Sequence, residues 1–342
     1  MVIRRVKKIT QQMTDEKIYF IKETLKELDL SHIDPILRIS TKYSIESGGK
    51  HLRPLIIILC AEILSGDYRQ TKNTLLALEL IHNATLVHDD IIDEDIYRRG
   101  KSSVHSKYGV KKAVLTGDAL LSMGLIYASK TNKPEIIHWL SQTSLKMVQG
   151  ITMQNYFKHK LISVEEYLNM NYLKSGSLFE AAGALGVLSV SNNVEDVTNF
   201  SEFGKYFGNA YQIRDDIIDS LQHRQNEYML NNDLINGDPS LVLIYALESD
   251  KISSSVQQKL LKTYKEGKQE INLQELFTIY QDSGALNKAI LMMEEYSEKA
   301  RKILEKYPVS KSKNCLTEML NEYSYNFIIN LESYQSSNIT SL

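Results

Sequence analysis

The sequence predicts an all-α protein. Apolar residues recur at three- and four-residue spacing over most of the chain, as in Leu75–Asp93 and Val197–Leu221, which is the period of an amphipathic helix. Strand signals are weak, because short β-branched runs such as Ile56–Ile58 lie inside stretches of helix length. Helix start signals favour the same fold class: Asp34-Pro35 is typical of an N-cap followed by proline, and Ser163–Glu166 of a capping box.

The positions of the helices follow from these signals. Gly48-Gly49 is expected to end the helix that begins at Pro35. The capping box is expected to open a long helix that continues through about Val190. The two long periodic segments named above each end in an acidic sequence.

The breaks between helices are local. The stretches Arg98–Ser106 and His223–Pro239 are polar and rich in turn residues, and neither resembles a long flexible linker. We therefore expect one all-α domain over residues 1–342, with loose ends at about residues 1–12 and 334–342.

The composition is that of an ordinary globular protein and excludes several functions. Apolar residues make up 43% and charged residues 24% of the chain, and a formal net charge of −2 provides no general attraction to nucleic acid or anionic membranes. Cys60 and Cys315 do not form a disulfide framework, so a cytoplasmic location is expected. No run of about 18 uncharged apolar residues predicts a membrane span. The start, Met1–Lys8, is too short and too charged for a signal peptide.

The sequence Asp-Asp-Ile-Ile-Asp occurs twice, at Asp89–Asp93 and at Asp215–Asp219. On a helix, the first and last aspartates of each copy lie one turn apart on the same face, where like charges repel. Two such sets facing a cavity would need cations between them. Oxygen ligands with room for water suit Mg²⁺, which proteins commonly bind together with substrate phosphates. The repeat therefore predicts a diphosphate held by metal ions between two acidic helices.

The alternative is a pair of solvated acidic helix surfaces, which is what most charge clusters are. The neighbouring residues argue against it, because they are apolar: Leu86, Val87, Ile91 and Ile92 around the first set, and Ile213, Ile217 and Ile218 around the second. Charges on such apolar helices are expected to be buried or to face a cavity. We therefore favour the metal site.

Basic residues stand where a phosphate site would need them. Arg98-Arg99-Gly100 begins just past the expected end of the first acidic helix, and arginine forks bind phosphate oxygens in bidentate geometry. A helix C-terminus also favours cations through its dipole, but that explains one arginine better than two. Upstream, Gly48–Pro54 places Lys50 and Arg53 in a turn that opens a helix. This turn is a candidate anion site that needs no metal.

In combination, these motifs resemble those of the trans-isoprenyl diphosphate synthases, the head-to-tail class of prenyltransferases. The resemblance extends from about Gly48 to Ala246, with the motifs in the family's order. It is carried by Gly48-Gly49-Lys50-His51-Leu52-Arg53-Pro54, His82, Leu86–Asp93, Arg98-Arg99-Gly100, Gly117-Asp118, Lys174-Ser175 and Tyr211–Asp219. It implies an isoprenoid-synthase-type bundle of roughly 10–13 helices around a central cavity. Within the family, the chain is most similar to the catalytic subunit of a bacterial heptaprenyl-type synthase.

The resemblance also implies roles for individual residues. About three Mg²⁺ ions on the allylic diphosphate would be held by Asp89, Asp90, Asp93, Asp215, Asp216 and Asp219. The same diphosphate would be bound by Arg98, Lys174 and Gln212. The diphosphate of isopentenyl diphosphate would be bound by Lys50, Arg53, His82 and Arg99. Outside this motif, His82 would be interpreted as an ordinary core histidine.

The implied reaction elongates an allylic diphosphate such as farnesyl diphosphate. Metal ions and basic side chains would stabilise the leaving diphosphate, the C–O bond would ionise, and the double bond of isopentenyl diphosphate would attack the allylic cation. Product length would depend on residues upstream of Asp89. Thr85 and Ala84 are small where short-chain relatives commonly carry an aromatic residue, and Ile81 lies one turn further. We therefore predict an all-trans product of about six or more isoprene units, because a wall one turn further down lengthens the tunnel.

The sequence departs from the family pattern after the second acidic set. Asp238 stands where a lysine is common, and Arg224 is the only Lys or Arg between Asp219 and Asp238. Charge reversal near a diphosphate and its metals is not conservative. Two assemblies therefore stay open: a homodimer, and a heterodimer with a smaller regulatory subunit. Contact with a membrane surface during product release also stays open.

Three other functions remain as alternatives. A terpene cyclase shares the all-α fold, but normally carries an Asn/Ser/Glu metal motif in place of a second acidic one, so Asp215–Asp219 disfavours it. A relative that prenylates a peptide shares the same ancestry. A regulatory or weakly active subunit would keep the fold; the six aspartates disfavour it, whereas Asp238 keeps it open.

Overall fold

The computed structural model describes residues 2–64, 66–221, 232–268 and 270–323. These residues are almost entirely helical, which confirms the all-α fold class. The helices are α1 Val2–Lys26, α2 Pro35–Ile45, α3 Leu52–Ile63, α4 Lys72–Ile92, α5 Val104–Tyr108, α6 Val110–Ser129, α7 Pro134–Phe157, α8 Val164–Asn171, α9 Ser177–Val190, α10 Val194–Leu221, α11 Asn232–Asn236, α12 Leu241–Leu247, α13 Ser254–Glu266, α14 Leu273–Asp282, α15 Ala285–Glu305 and α16 Lys311–Tyr323. Short helices such as α5 and α11 bring the number of segments above the roughly 10–13 that we expected.

The helix start signals in the sequence act as predicted, whereas α2 ends before Gly48-Gly49, with Glu46 as its C-cap residue. The Asp34 carboxylate accepts a hydrogen bond from the backbone N–H of Ile36 at 2.8 Å and caps α2. Ser163 and Glu166 form a reciprocal capping box at the start of α8. The helical path that this box opens does reach Val190, but it contains a π-helical turn at Tyr172–Gly176, hereafter the π turn. Such a turn inserts one extra residue and re-aims the side chains around it.

One feature that the sequence did not predict is a short hairpin after α4. Strands β1 (Tyr97–Arg98) and β2 (Lys101–Ser102) pair in antiparallel fashion, although the Arg99-Gly100 turn is not a common hairpin dipeptide. Both turn residues have positive φ, 53° and 75°, which matches the twist of a two-residue hairpin. The hydroxyl of Tyr43 donates to the carbonyl of Ser102 at 2.7 Å and ties the hairpin to α2.

The described residues belong to two compact units. The first comprises Met1–Leu145, Leu178–Gly204 and Ile303–Glu318. In it, α4 packs closely along α6, because glycines on α6 leave room for side chains of α4. A Cβ at Gly124 would lie 2.7 Å from Cγ1 of Ile81, and one at Gly117 would overlap the ring of His88. This close packing fixes the helix that carries the first acidic set.

The second unit comprises Lys146–Ser177, Lys205–Lys302 and Met319–Leu342. Its core surrounds the fully buried rings of Tyr167, Tyr264 and Tyr280. Ile213 and Ile217 of α10 point into this core and are at most 1% exposed, so each contributes about 1.5–3 kcal/mol of hydrophobic stabilisation. Their burial sets the rotation of α10 and thereby the direction of the second acidic set. The single domain over residues 1–342 stays a prediction.

The expected loose ends and the loop after the second acidic set are described only in part. The backbone of residues 2–12 lies in α1, whereas residues 334–342 and Arg224 lie outside the described residues. Of the stretch His223–Pro239, the described part is α11 and the residues that follow it. No helix in the described part of the chain combines the length and apolar character needed to cross a membrane.

Candidate active site

The first acidic set lies at the C-terminal end of α4. Asp89 and Asp90 occupy its last turn, and Asp93 is the C-cap residue, whose N–H donates to the Asp89 carbonyl at 2.8 Å. The carboxylates of Asp89 and Asp90 are buried. Carboxylates at this end of a helix lie near the negative pole of its dipole, which is unfavourable. A bound cation would remove this repulsion.

Arg98 on β1 contacts this set, and its predicted role in binding the allylic diphosphate stays a prediction. Its Nε donates to Oδ1 of Asp90, and a terminal nitrogen lies 3.3 Å from Oδ2 of Asp95. The pKa of Asp90 is nevertheless raised to about 6, because desolvation by burial outweighs the attraction of the Arg98 guanidinium. The hairpin therefore holds the most buried member of the first set in place.

A basic cluster in the same unit brings together three of the four residues predicted to bind isopentenyl diphosphate. Nη1 of Arg53 lies 3.3 Å from Nε2 of His82, and the Arg53 guanidinium stacks on the Phe179 ring at 4.2 Å from its centroid. The Arg99 guanidinium lies against Gly49, where a Cβ would come within 2.8 Å of Nη1. Lys50, the fourth residue, is exposed on the loop before α3.

The surroundings of His82 favour its neutral form. Burial lowers its pKa well below 6.5, and the nearby guanidinium groups of Arg53, Arg99 and Arg98 lower it further. A neutral imidazole can accept a hydrogen bond from Arg53 through Nε2 and leave the arginine charge available to an anion. The arrangement suits a diphosphate that is bound without a metal.

The second acidic set lies near the C-terminal end of α10. Asp216 is its most buried member, and both of its oxygens accept hydrogen bonds: Oδ2 from the hydroxyl of Tyr167, and Oδ1 from Nε2 of Gln212 at 3.2 Å. The pKa of Asp216 is raised to about 7, because burial outweighs the effect of these donors. Oδ1 of Asp215 accepts a hydrogen bond from Nη1 of Arg214 at 3.0 Å. The third member of the set, Asp219, is exposed.

A further carboxylate lies close to the second set. Burial raises the pKa of Asp233 on α11 well above its usual value, as do the charges of Asp219, Asp216 and Asp238, whereas Lys174 lowers it. The concentration of carboxylates again favours a bound cation. Sequence reasoning missed Asp233 and Tyr167, because neither belongs to a repeated motif and only the packing brings them to α10.

Lys174 lies in the π turn. Its Nζ donates to Oε1 of Gln154 on α7. Its charge lowers the pKa of Asp233, and its predicted role in binding the allylic diphosphate stays a prediction. The sequence did not predict Gln154 as a site residue, because a lone glutamine on a helix carries no distinguishing pattern.

The predicted chain-length residues lie on α4, upstream of Asp89. Ile81 is fully buried and packs on Gly124, and Ala84 is 2% exposed. Thr85 is half-buried, and its hydroxyl donates to the His82 carbonyl at 2.8 Å. Their role as the wall of a product tunnel stays a prediction.

The predicted site residues thus fall into two groups, one in each unit. Within the described residues, no group of three or more His, Cys, Asp and Glu side chains is arranged to hold a metal ion by itself. The donor chemistry still fits Mg²⁺, which binds through one or two carboxylates and takes its other ligands from water and substrate phosphates. A preformed protein cage is therefore not required.

Comparison with known proteins identifies the family. A family model described as polyprenyl synthetase matches residues 34–280. The chain is 30% identical over 319 residues to the geranylgeranyl pyrophosphate synthase of Geoglobus acetivorans, covering 90% of this chain and 96% of that protein. It is 26% identical over 301 residues to heptaprenyl diphosphate synthase component 2 of Geobacillus stearothermophilus, covering 87% and 92%.

The fold agrees. The crystal structure of geranylgeranyl pyrophosphate synthetase from Pyrococcus horikoshii Ot3 superposes with a TM-score of 0.84 at 27% identity, covering 94% of this chain and 99% of that one. The family match spans most of the chain, and the acidic and basic groups described above lie within it. The chain therefore belongs to the polyprenyl synthetase family and is a trans-prenyltransferase.

Proposed function

We propose that this protein condenses isopentenyl diphosphate head to tail with an allylic diphosphate, such as farnesyl diphosphate, to give a long-chain all-trans polyprenyl diphosphate. The observation that carries the proposal is the cluster of Arg53, neutral His82 and Arg99 in the unit that also holds the first acidic set. It supports two anion sites of different chemistry, one that uses metal and one that uses only protein donors. A condensation of two diphosphates needs both.

The acidic sets would hold about three Mg²⁺ ions, with Asp89, Asp93, Asp215 and Asp219 as the more direct ligands. When bound, Mg²⁺ would stabilise negative charge on the departing diphosphate. Asp90 and Asp216 differ from the others, because each is the most buried member of its set. Asp90 already accepts a hydrogen bond from Arg98, and Asp216 already accepts hydrogen bonds from Tyr167 and Gln212. These two would orient the helix ends.

The basic residues would divide between the two substrates. Lys50, Arg53, His82 and Arg99 would bind the diphosphate of isopentenyl diphosphate and orient its double bond. Arg98, Lys174 and Gln212 would bind the allylic diphosphate. As the allylic C–O bond breaks, the double bond attacks the cation, and the proton lost from the new unit passes to the departing diphosphate. Apolar surroundings would protect the cation from water.

The long product is the finer part of the proposal. It is supported by the small side chains at Ala84 and Thr85, which leave the region one turn below Asp89 without an aromatic barrier. The names of similar proteins point both ways, because one is a geranylgeranyl synthase and another a heptaprenyl synthase component. Product length therefore has to be measured.

The protein would act as a dimer. Exposed apolar side chains on α6 support an interface between subunits: Val110, Val114, Leu115, Leu125 and Ile126 are 41–58% exposed. The partner would be a second copy or a smaller regulatory subunit, as the name of the component 2 relative suggests. The alternative of a purely regulatory subunit rested on the negative charge of Asp238. This alternative loses support, because the Lys158 ammonium lies 3.8 Å from the Asp238 carboxylate and offsets that charge.

The test is incubation of the purified protein with Mg²⁺, labelled isopentenyl diphosphate and either farnesyl or geranylgeranyl diphosphate. The products would be chromatographed with and without a candidate small subunit. We expect elongation to about six or more isoprene units. Diphosphate binding without elongation under every condition would instead support the regulatory subunit. Transfer to a peptide acceptor alone would support the peptide-prenylating relative.

A further inference from the structure

A series of polar side chains in the second unit connects Asp238 to Lys174. Nζ of Lys174 donates to Oε1 of Gln154, and Nε2 of Gln154 donates to Oδ1 of Asp238 at 2.9 Å. We propose that Asp238 is a positioning residue that, through Gln154, holds the Lys174 ammonium where it binds the allylic diphosphate. This inference rests on the diphosphate-binding role of Lys174 in the proposed function.

The orientation of the Gln154 amide is determined by its two neighbours. An ammonium group can only donate hydrogen bonds, and an ionised carboxylate can only accept them. Between Lys174 and Asp238, the amide therefore presents its oxygen to the lysine and its nitrogen to the aspartate. Asp238 thereby ensures that Lys174 meets an acceptor.

Helix α7 brings Gln154 to the π turn. Gly150 lies one helical turn before Gln154 on the same face. A Cβ at Gly150 would overlap the backbone nitrogen of Lys174, so α7 and the π turn are in direct backbone contact at this point. One turn further along α7, the Gln154 side chain then reaches Nζ of Lys174. Small changes in the Gln154 rotamer would consequently move the ammonium group.

Asp238 is itself held by its backbone. Gly237 follows α11 with φ of 73°, and the N–H of Asp238 donates to the carbonyl of Asp233 at 2.8 Å, which is a typical glycine-terminated helix end. The N–H of His159 donates to the Gly237 carbonyl at 2.8 Å. The His159 ring occupies the space that a Cβ at position 237 would need. The Asp238 carboxylate is thus anchored just beyond the end of α7.

The charge of Asp238 suits this position. Its side chain is 16% exposed and lies 3.8 Å from Nζ of Lys158. The carboxylate therefore contacts the Lys158 ammonium directly and is connected to the Lys174 ammonium through Gln154. A lysine at position 238 would compete with Lys174 for the oxygen of Gln154 and add a third positive charge. Asp238 is therefore part of a local arrangement, rather than a phosphate-binding lysine that has been lost.

The experiment is a double-mutant cycle between Asp238→Ala and Lys174→Ala. Two quantities are measured for each variant: the KM for the allylic diphosphate, and the Kd for inorganic diphosphate with Mg²⁺ by calorimetry. Asp238→Ala should raise both by about tenfold, with the KM for isopentenyl diphosphate unchanged. In the Lys174→Ala background, the same substitution should have no further effect. Asp238→Asn, which keeps an acceptor oxygen for Gln154, should retain most of the affinity. Asp282→Ala, at the exposed end of α14, is the matched control.

Independent, additive effects of the two substitutions would overturn the proposal, as would an increase in diphosphate affinity on Asp238→Lys. Should Asp238→Ala fail to fold, Gln154→Met removes the same connection from α7 and has to give the same change in the allylic KM. A wild-type protein without transfer activity, both alone and with a candidate small subunit, would refute the proposed function instead. An active wild type with an additive cycle would refute this inference alone.

Discussion

Tyr167 donates its phenolic hydrogen to Oδ2 of Asp216, a residue 49 positions later in the chain. Gln212, one turn before Asp216 on α10, donates to the other oxygen at 3.2 Å. Arg98 holds Asp90 of the first set in a comparable way. In both sets, the most buried aspartate is fixed by donors from the protein.

The pH dependence of Mg²⁺-dependent activity should respond to Tyr167→Phe. Loss of the hydroxyl removes a donor that lowers the pKa of Asp216, which is already about 7, so this pKa should rise. The pH at which kcat/KM reaches half its maximum should increase by about one unit, because the carboxylate must be ionised to act near a metal. The exposed Tyr156→Phe is the control. An unchanged profile would mean that Asp216 does not depend on Tyr167.

Stability of the metal-free protein should fall as the pH rises from about 4 to 7. The folded-state pKa of Asp216 lies above its ordinary value of 3.8, so its contribution is fully present below 3.8 and is lost as the pH passes through about 7. Asp216→Asn should raise the free energy of unfolding at pH 8 by about 2 kcal/mol while abolishing most activity. Urea unfolding at pH 5 and pH 8 would measure this. An equal effect at both pH values would contradict the explanation.

The substitution Arg53→Gln should selectively weaken the binding of isopentenyl diphosphate. Removing a guanidinium that contacts neutral His82 deletes one charged hydrogen-bond donor from the metal-free anion site, which corresponds to about tenfold or more in the KM for that substrate. The KM for the allylic diphosphate should change by less than about twofold. Steady-state kinetics with each substrate varied in turn would show the difference. Arg69→Gln, at an exposed arginine, is the matched control, and a similar rise in both KM values would reassign Arg53.

Product length should shorten on Ala84→Phe. Ala84 is 2% exposed on α4, one turn before Asp89, so a phenyl ring there would obstruct a tunnel that runs along the helix. Chromatography of the dephosphorylated products would measure the distribution, and we expect a loss of about two or more isoprene units. Val194→Phe places the same ring at a residue that is 78% exposed and should leave the distribution unchanged. An unaltered distribution in active Ala84→Phe would remove Ala84 from the tunnel wall.

Much of the fold was predictable from local sequence. The Asp34 cap, the Ser163–Glu166 capping box and the periodic segments of α4 and α10 depend on interactions between residues within a few positions of each other. These interactions act wherever the segment lies, so a sequence pattern suffices. The hairpin at Tyr97–Ser102 was missed because its turn residues, Arg99 and Gly100, carry little of the usual hairpin signal.

The twin acidic sets and their basic companions were likewise evident in the sequence, because their residue types and order are unusual. Only the tertiary structure decided how members of one set differ. Asp90 and Asp216 are buried and held by donors from β1 and α8, and the arginines around His82 favour its neutral form. Gln154 connects Lys174 to Asp238, which lies 84 residues after Gln154 in the chain. Desolvation and hydrogen bonding depend on neighbours that are distant in the chain, and no local pattern records them.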